Sequence, residues 1–396
     1  MDESKLIKNQ SRRNFVKIAG MGVAGLAASG FAGSALANGA ITTATTGSFY
    51  VPDEGVPHTR TWMAWPSSTA IWGSSLLKGV QKDIALLART IAKYEPVYMV
   101  ANGSANAAIA KTQIGTTVYP VTILPTIPND DCWMRDMGAI FRKDGLGNLN
   151  CFGLNFNGWG NKQTHANDAK VETGMASYLG VNFTDATVVN TSGKVVKLIG
   201  EGGGVVEDGD GTLLANESCW VNPNRNPNVT RQAIETSLLQ LYGATKMIWC
   251  TGVIGQDITD DHCDATVHFS QPGTVLVHVG DPSDTSAFAA NAAQWLSTLQ
   301  TSTDAKGRSF NIIKMQAPKA INNTMLSSYI NLAVANGAVI EVAMGALCNN
   351  PALDVIAANQ LAAAYPGRTV EMLSLPTLYG QGGGGIHCVT QQQPVP

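Results

Sequence analysis

From residue 49 onward, apolar positions follow two rhythms along the chain. Five stretches repeat them every three or four residues, the spacing of a helix that buries one face. The first covers about residues 75–94, where Leu77, Val80, Ile84, Leu87 and Ile91 form one stripe. The second, about 164–179, is weaker. The third follows Thr230 as a candidate N-cap, buries Ile234, Leu238 and Leu241, and stops at Gly243. The fourth covers about 286–299; the fifth, about 352–365, is ended by Pro366-Gly367. Short β-prone runs lie around them, among them 61–65, 97–101, 118–124, 137–142, 205–207, 212–215, 266–269, 274–279 and 369–373. Asp208-Gly209-Asp210-Gly211 and Gln271-Pro272-Gly273 predict hairpin turns. Strands outnumber helices, so a simple doubly wound sheet fits poorly. Five strand–helix units over residues 49–396 suggest instead an α/β repeat closed into a ring.

The composition suits a well-filled interior: 44% hydrophobic and 14% charged residues exclude a disordered chain. The N-terminus reads as an address. Ser11-Arg12-Arg13-Asn14-Phe15-Val16-Lys17 has the form of a twin-arginine signal, followed by a Gly/Ala-rich stretch to Ala37 that ends Ala35-Leu36-Ala37, a small-x-small cleavage site. A membrane anchor is the alternative, but so many glycines and alanines make a weak one. Residues 1–37 are therefore expected to be a cleaved signal recognised by the twin-arginine export machinery. Residues 38–48 form a short linker, 49–396 a single domain, and the product is periplasmic or secreted with no stable membrane association. Removing 1–37 leaves 21 basic against 27 acidic residues, a net charge of −6. Such a surface has no electrostatic footprint for nucleic acid, whereas small cations suit it. The seven cysteines are odd in number and none forms a C-x-x-C pair, so at least one thiol should stay free. Oligomeric state is not readable, and a homo-oligomer stays open.

Candidate chemistry gathers in a few polar stretches. Gly382-Gly383-Gly384-Gly385-Ile386-His387-Cys388 places a thiol after a backbone segment without side chains, ahead of a β-prone pair, Val389-Thr390. A thiol of ordinary pKa ~8.5 is mostly protonated at neutral pH, so a nucleophilic role needs help from elsewhere; a buried structural cysteine after a loop is the plain alternative. Residues 129–138 put acids and amides beside Trp133 and Arg135, and Glu201 precedes three glycines. Residues 257–264 hold the densest acid cluster; in an extended segment His262 and Asp264 would project to one side. Asn331 lies in an apolar run. Acid clusters are commonly solvated turns, as expected for 208–211, and His58, His165, His268 and His278 read as surface or satisfied core groups. A metal site of His262, Asp264, His387 and Cys388 is conceivable but lacks local ligand spacing, so the metal-free reading is preferred. Carboxylates around a thiol oppose thiolate formation unless a cation neutralises them. A guanidinium is such a cation: its donor fork matches carboxylates and an aromatic face can cover it.

At this point the chain resembles a family, the agmatine deiminases and the related Porphyromonas-type peptidylarginine deiminases among the guanidine-modifying enzymes. The resemblance runs through Pro52-Asp53-Glu54, Thr61-Trp62-Met63-Ala64-Trp65-Pro66, residues 129–138, Phe156-Asn157-Gly158-Trp159-Gly160, Glu201-Gly202-Gly203, Asn224-Arg225-Asn226-Pro227, His262 with Asp264, and 384–394. It implies a five-bladed α/β propeller (pentein) of pseudo-fivefold symmetry. It also implies hydrolysis of a guanidinium substrate, first of all agmatine to N-carbamoylputrescine and ammonia, with peptidyl or free arginine as alternatives and no cofactor. A non-catalytic guanidine-binding protein is the reading of another class. By the same resemblance Cys388 is the nucleophile and His262 the general acid/base. Asp136 and Asp264 grip the guanidinium, Glu201 orients His262, Trp133 packs on the substrate and Asn331 lines the pocket. Gly385 belongs to the substrate-binding stretch and stands where the family pattern has an asparagine.

Overall fold

The structure is a computed structural model that describes residues 48–321 and 326–396. The export signal and nearly all of the linker lie outside the described residues. Within them no helix is long and apolar enough to cross a membrane.

One local arrangement recurs. A strand pairs antiparallel with the next, a helical segment follows, and the chain returns as a third strand parallel to the second. Ile140–Lys143, Leu149–Gly153 and Phe183–Asp185 form the first such sheet. Val205–Glu207, Thr212–Asn216 and Lys246–Cys250 form the next. Val267–Gln271, Thr274–Val279 and Asn311–Gln316 follow, and then Ala333–Ala335, Ala338–Val342 and Thr369–Leu373. The fifth sheet joins the two ends of the domain: the C-terminal strand Gln391–Pro394 pairs antiparallel with His58–Ala64, which continues parallel to Val97–Val100 and Val121–Leu124. A two-stranded ribbon, Thr187–Val189 with Val195–Lys197, stands apart. Antiparallel partners need only a tight turn, whereas each parallel return needs a helical crossover.

Those crossovers contain the helices that the apolar stripes predict. Arg231–Tyr242 starts where the Thr230 hydroxyl accepts from the Ala233 N–H and ends at Gly243 in the left-handed conformation. Ala287–Thr301 is capped in the same way by Ser286. Thr69–Ile91, Val171–Leu179 and Ala352–Ala364 correspond to the other three stripes. Gly103–Ile114 was not foreseen: it buries only Ala110 and Ile114, too few positions to leave a stripe. Ala287–Thr301 packs on its own sheet and on Lys246–Cys250 of the preceding one; Ala352–Ala364 likewise bridges to Asn311–Gln316. These two helices therefore sit between neighbouring sheets.

Three expectations need correction. Val389-Thr390 does not open a strand: His387–Val389 is a single helical turn, closed by the Thr390 N–H on the His387 carbonyl, and the strand begins at Gln391. The run at 137–142 likewise begins with a helical turn, Met134–Met137. Both hairpins form as predicted, but Asp208 is buried rather than solvated, accepting from the N–H groups of Asp210 and Thr212.

Beside the strand ladder, Trp62 ties the two chain ends together. Its fully buried indole donates to Gln393 Oε1 at 2.9 Å and meets Tyr98 and Tyr178 edge-on. Trp62→Ala should cost about 3–5 kcal/mol, the usual range for emptying a packed aromatic site. Urea unfolding followed by circular dichroism measures this; a loss below about 1 kcal/mol would show that the C-terminal strand holds without it.

Candidate active site

Each of the five recurring sheets has a short turn or loop just ahead of one of its strands, and those segments carry the polar residues singled out from the sequence. Asp136 lies in the turn Met134–Met137 ahead of Ile140, and Glu201 directly before the turn Gly202–Gly204 ahead of Val205. His262 and Asp264 flank and enter the turn Cys263–Ala265 ahead of Val267; Asn331 precedes Ala333, and Cys388 occupies the turn ahead of Gln391. The segment around His262 is therefore a helical turn and not the extended strand expected, yet the two side chains still converge. A Cβ placed on Gly203 would stand 2.6 Å from His262 Nδ1, 2.9 Å from Asp136 Oδ1 and 3.0 Å from Asp264 Oδ2. Only glycine permits that approach.

The thiol joins this group directly. Cys388 Sγ lies 3.5 Å from Asp264 Oδ2, and the Cys388 N–H donates to Asn331 Oδ1 at 3.2 Å. Asn331 in turn donates to the Asp264 carbonyl at 3.3 Å, so one carboxamide spans both segments. Gly385 is explained here: a Cβ would come within 2.3 Å of Asn331 Oδ1 and 2.5 Å of the Tyr379 hydroxyl. That hydroxyl donates to the Asn331 carbonyl or Glu341 Oε1, both at 3.0 Å, and accepts from the Ile386 N–H. Burial is nearly complete, with Cys388 and Asp136 each 2% exposed and His262 4%.

His262 is held by its far nitrogen. Nε2 donates to Glu201 Oε2 at 3.0 Å, while Nδ1 faces Asp136 Oδ1 at 3.6 Å with no hydrogen-bond partner among the described residues. Nδ1 is thus the atom left to exchange a proton with a bound molecule. Burial opposes charging of this imidazole, but Asp136 and then Glu201 outweigh it and raise the pKa above the ordinary value. Glu201 stays ionised because Arg225, then His262, overcome its own desolvation. The Arg225 Nε donates to both Glu201 oxygens, at 2.9 and 3.0 Å, and its other nitrogens reach Asp260 Oδ2 and the Thr259 carbonyl. Lys162 adds a second cation to Asp260 at 2.7 Å.

Two tryptophans are fixed by acids. Trp133, 3% exposed, donates from its indole to Asp131 Oδ2 and stacks on Trp72, whose indole donates to the other Asp131 oxygen. Trp159 donates to Asp136 Oδ2 at 3.0 Å from a left-handed backbone (φ 56) between Gly158 and Gly160, also left-handed. A bulky residue in that conformation costs about 1–3 kcal/mol, and such strain concentrates at working sites. Arg225, Trp159, Tyr379, Glu341, Glu54 and His268 carried no assigned site role in the sequence reading. The first two sit in short Asn/Gly motifs, and that position was the signal available.

A second buried cluster adjoins the thiol. His387 pairs through Nδ1 with Asp264 Oδ2 and through Nε2 with Glu54 Oε1, both at 2.9 Å, and Arg135 reaches the same Glu54 oxygen at 3.1 Å. Glu54, His268 and His387 offer ligand atoms within 4.8 Å of one another. This set differs from the one considered from sequence, since His262 and Cys388 are not in it. Arg135 and His387 both engage Glu54 Oε1, and His268 Nε2 stands 4.0 Å from Oε2.

With this geometry in place, similarity to known proteins becomes informative. Residues 50–394 match the sequence profile of the family described as Porphyromonas-type peptidyl-arginine deiminase. The chain belongs to that family. A Streptomyces coelicolor protein provisionally named agmatine deiminase is 34% identical across 88% of this chain and 99% of its own. The agmatine deiminase of Stutzerimonas stutzeri is 31% identical across 90% of this chain and 98% of its own. Among solved structures, agmatine deiminase of Enterococcus faecalis, described as catalysing its reaction, superposes with a TM-score of 0.75 at 25% identity, covering 88% of this chain and 96% of that one. These neighbours agree with a mixed α/β fold.

Several groups around the site stay protonated above their ordinary range. Desolvation lifts Glu341 to about 8 and, with Glu54 adding repulsion, Glu207 to about 8. His387 rises to about 9: burial and Arg135 oppose its charge, but Glu54 and Asp264 prevail. The native state then binds more protons than the unfolded chain, so stability falls as pH rises. For the two glutamates the fall spans about 4.5 to 8, and for His387 about 6.5 to 9. Denaturant midpoints should therefore drop between about pH 6 and pH 9, and Glu341→Gln, which mimics the neutral acid, should flatten part of that drop. A midpoint rising across this range would contradict the assignment.

Proposed function

We propose that this protein is a hydrolase that deiminates a small guanidine, agmatine first, to the ureido product and ammonia. The observation that carries this reading is one convergence. A buried thiol, a histidine with one nitrogen unoccupied and two carboxylates meet around a common point, the arrangement that a planar cation fits. Asp136 and Asp264 hold the guanidinium and Trp133 covers it. Membership in a deiminase family, with relatives named agmatine deiminase, supports the same chemistry.

The roles follow from position. Cys388 Sγ attacks the guanidinium carbon, and the adduct expels one nitrogen as ammonia with a proton from His262 Nδ1. This leaves a thiouronium linkage to the enzyme. Neutral His262 then takes a proton from water as its oxygen attacks the same carbon, the C–S bond breaks, and the thiolate returns with release of the ureido product. Glu201, pinned by Arg225, holds the imidazole through both steps. No step draws on a metal or cofactor. The five similar sheets, with helices wedged between neighbours and the chain ends joined in one sheet, support a five-bladed propeller whose strand starts surround the site. The twin-arginine motif at 11–17 supports export, and a periplasmic or secreted location for the mature enzyme.

Cys388→Ser should retain the native fold while losing at least about 10³-fold in turnover, because oxygen is a poor replacement for the thiolate nucleophile. Agmatine, arginine and an arginyl peptide assayed for ureido product should rank in that order. Substantial turnover by the serine variant sinks the thiol mechanism. Ammonia release from none of the three substrates favours a binding protein.

A further inference from the structure

We propose that His387 is a positioning residue for this reaction: wedged between Glu54 and Asp264, it acts as a fixed cation that holds the Asp264 carboxylate and offsets its charge beside Cys388, which favours the thiolate. The inference rests on Cys388 being the nucleophile, and goes beyond that reading by giving its neighbour a part.

The geometry sets the charge. Both ring nitrogens of His387 face carboxylate oxygens at 2.9 Å, and ionised carboxylates only accept. Each nitrogen must then carry hydrogen, which makes the ring an imidazolium. The groups facing it are consistent with this. Glu54 is held ionised against its burial by Arg135 first and then His387. Glu207 and Glu341 hold their protons, and His268, whose ring meets His387 edge-on, is driven by burial down to about 4 and stays neutral. The result is an alternating row: Arg135, Glu54, His387, Asp264 and the Cys388 thiol.

Two consequences follow. His387 Nδ1 and Cys388 Sγ share one atom, Asp264 Oδ2, so the imidazolium and the thiol are linked through a single carboxylate oxygen. The imidazolium also lies on the residue next to the thiol, offsetting the acids that would otherwise raise the cost of a thiolate. Position 387 is held from outside as well: its N–H donates to the Asn331 carbonyl and its own carbonyl lies 3.5 Å from Arg135 Nε.

The test uses His387→Gln and Asp264→Asn in the full chain, with two readouts. Alkylation of Cys388 by iodoacetamide, located by peptide mass, is measured against pH without substrate. In His387→Gln the alkylation curve should move to higher pH, because a cation is lost. In Asp264→Asn it should move to lower pH, because an anion is lost. Catalytic efficiency toward agmatine should fall about 10²-fold in His387→Gln, mainly through kcat. Where His387→Gln does not fold, Glu54→Gln serves: it weakens the imidazolium, so the alkaline limb of kcat/KM should move to lower pH. An alkylation curve in His387→Gln that is unmoved or shifted to lower pH overturns the proposal. So does an unmoved alkaline limb in Glu54→Gln. The alkylation readout needs no substrate, so a wrong substrate assignment would leave it intact.

Discussion

Carboxylates brought together out of water must be compensated, and this requirement shapes the protein around the site. Glu54, Asp136, Glu201 and Asp264 are all buried. An isolated ion in such surroundings would take up a proton or destabilise the fold. The protein supplies Arg135 and His387 beside Glu54 and Asp264, and Arg225 with His262 beside Glu201. Asp136 is held by the Trp159 indole and the Gly203 N–H. Where desolvation outweighs every partner, as at Glu341, the group keeps its proton instead. The buried acids are thus divided between those matched by cations or by N–H donors and one, Glu341, that keeps its proton.

The repeated sheet explains how residues far apart in the chain reach one place. Each sheet has, ahead of one of its strands, a turn or loop whose polar groups are free to face away from the apolar layers, and those five segments contribute Asp136, Glu201, His262 with Asp264, Asn331, and Cys388. Strand pairing behind each segment gives it a rigid base. The requirement on neighbouring side chains is strict: a Cβ on Gly203 would overlap His262, and one on Gly385 would overlap Asn331. The glycine runs that mark the sequence therefore serve close packing of the protein against itself. At Gly382, too, the approaching group is a protein ring, Trp72.

Some of this was determined by the sequence alone. The helix at Arg231–Tyr242 was legible because Thr230, Gly243 and an apolar stripe are local signals, each acting within a few residues. Both hairpins were legible from their turn residues. Cys388, His262, Asp264, Asp136, Glu201 and Asn331 could be named because each sits in a distinctive motif, and the structure brings them together. The helix Gly103–Ile114 and the glutamine-rich strand Gln391–Pro394 were not legible, since neither carries an apolar period. The strand exists because His58–Ala64 offers it an edge from the other end of the domain. Charge states, too, belong to the tertiary structure. Nothing in the residues around His387 shows that its two nitrogens meet Glu54 and Asp264, 333 and 123 positions away. Local chemistry chooses which groups are present, but burial and long-range contact decide which of them carry charge.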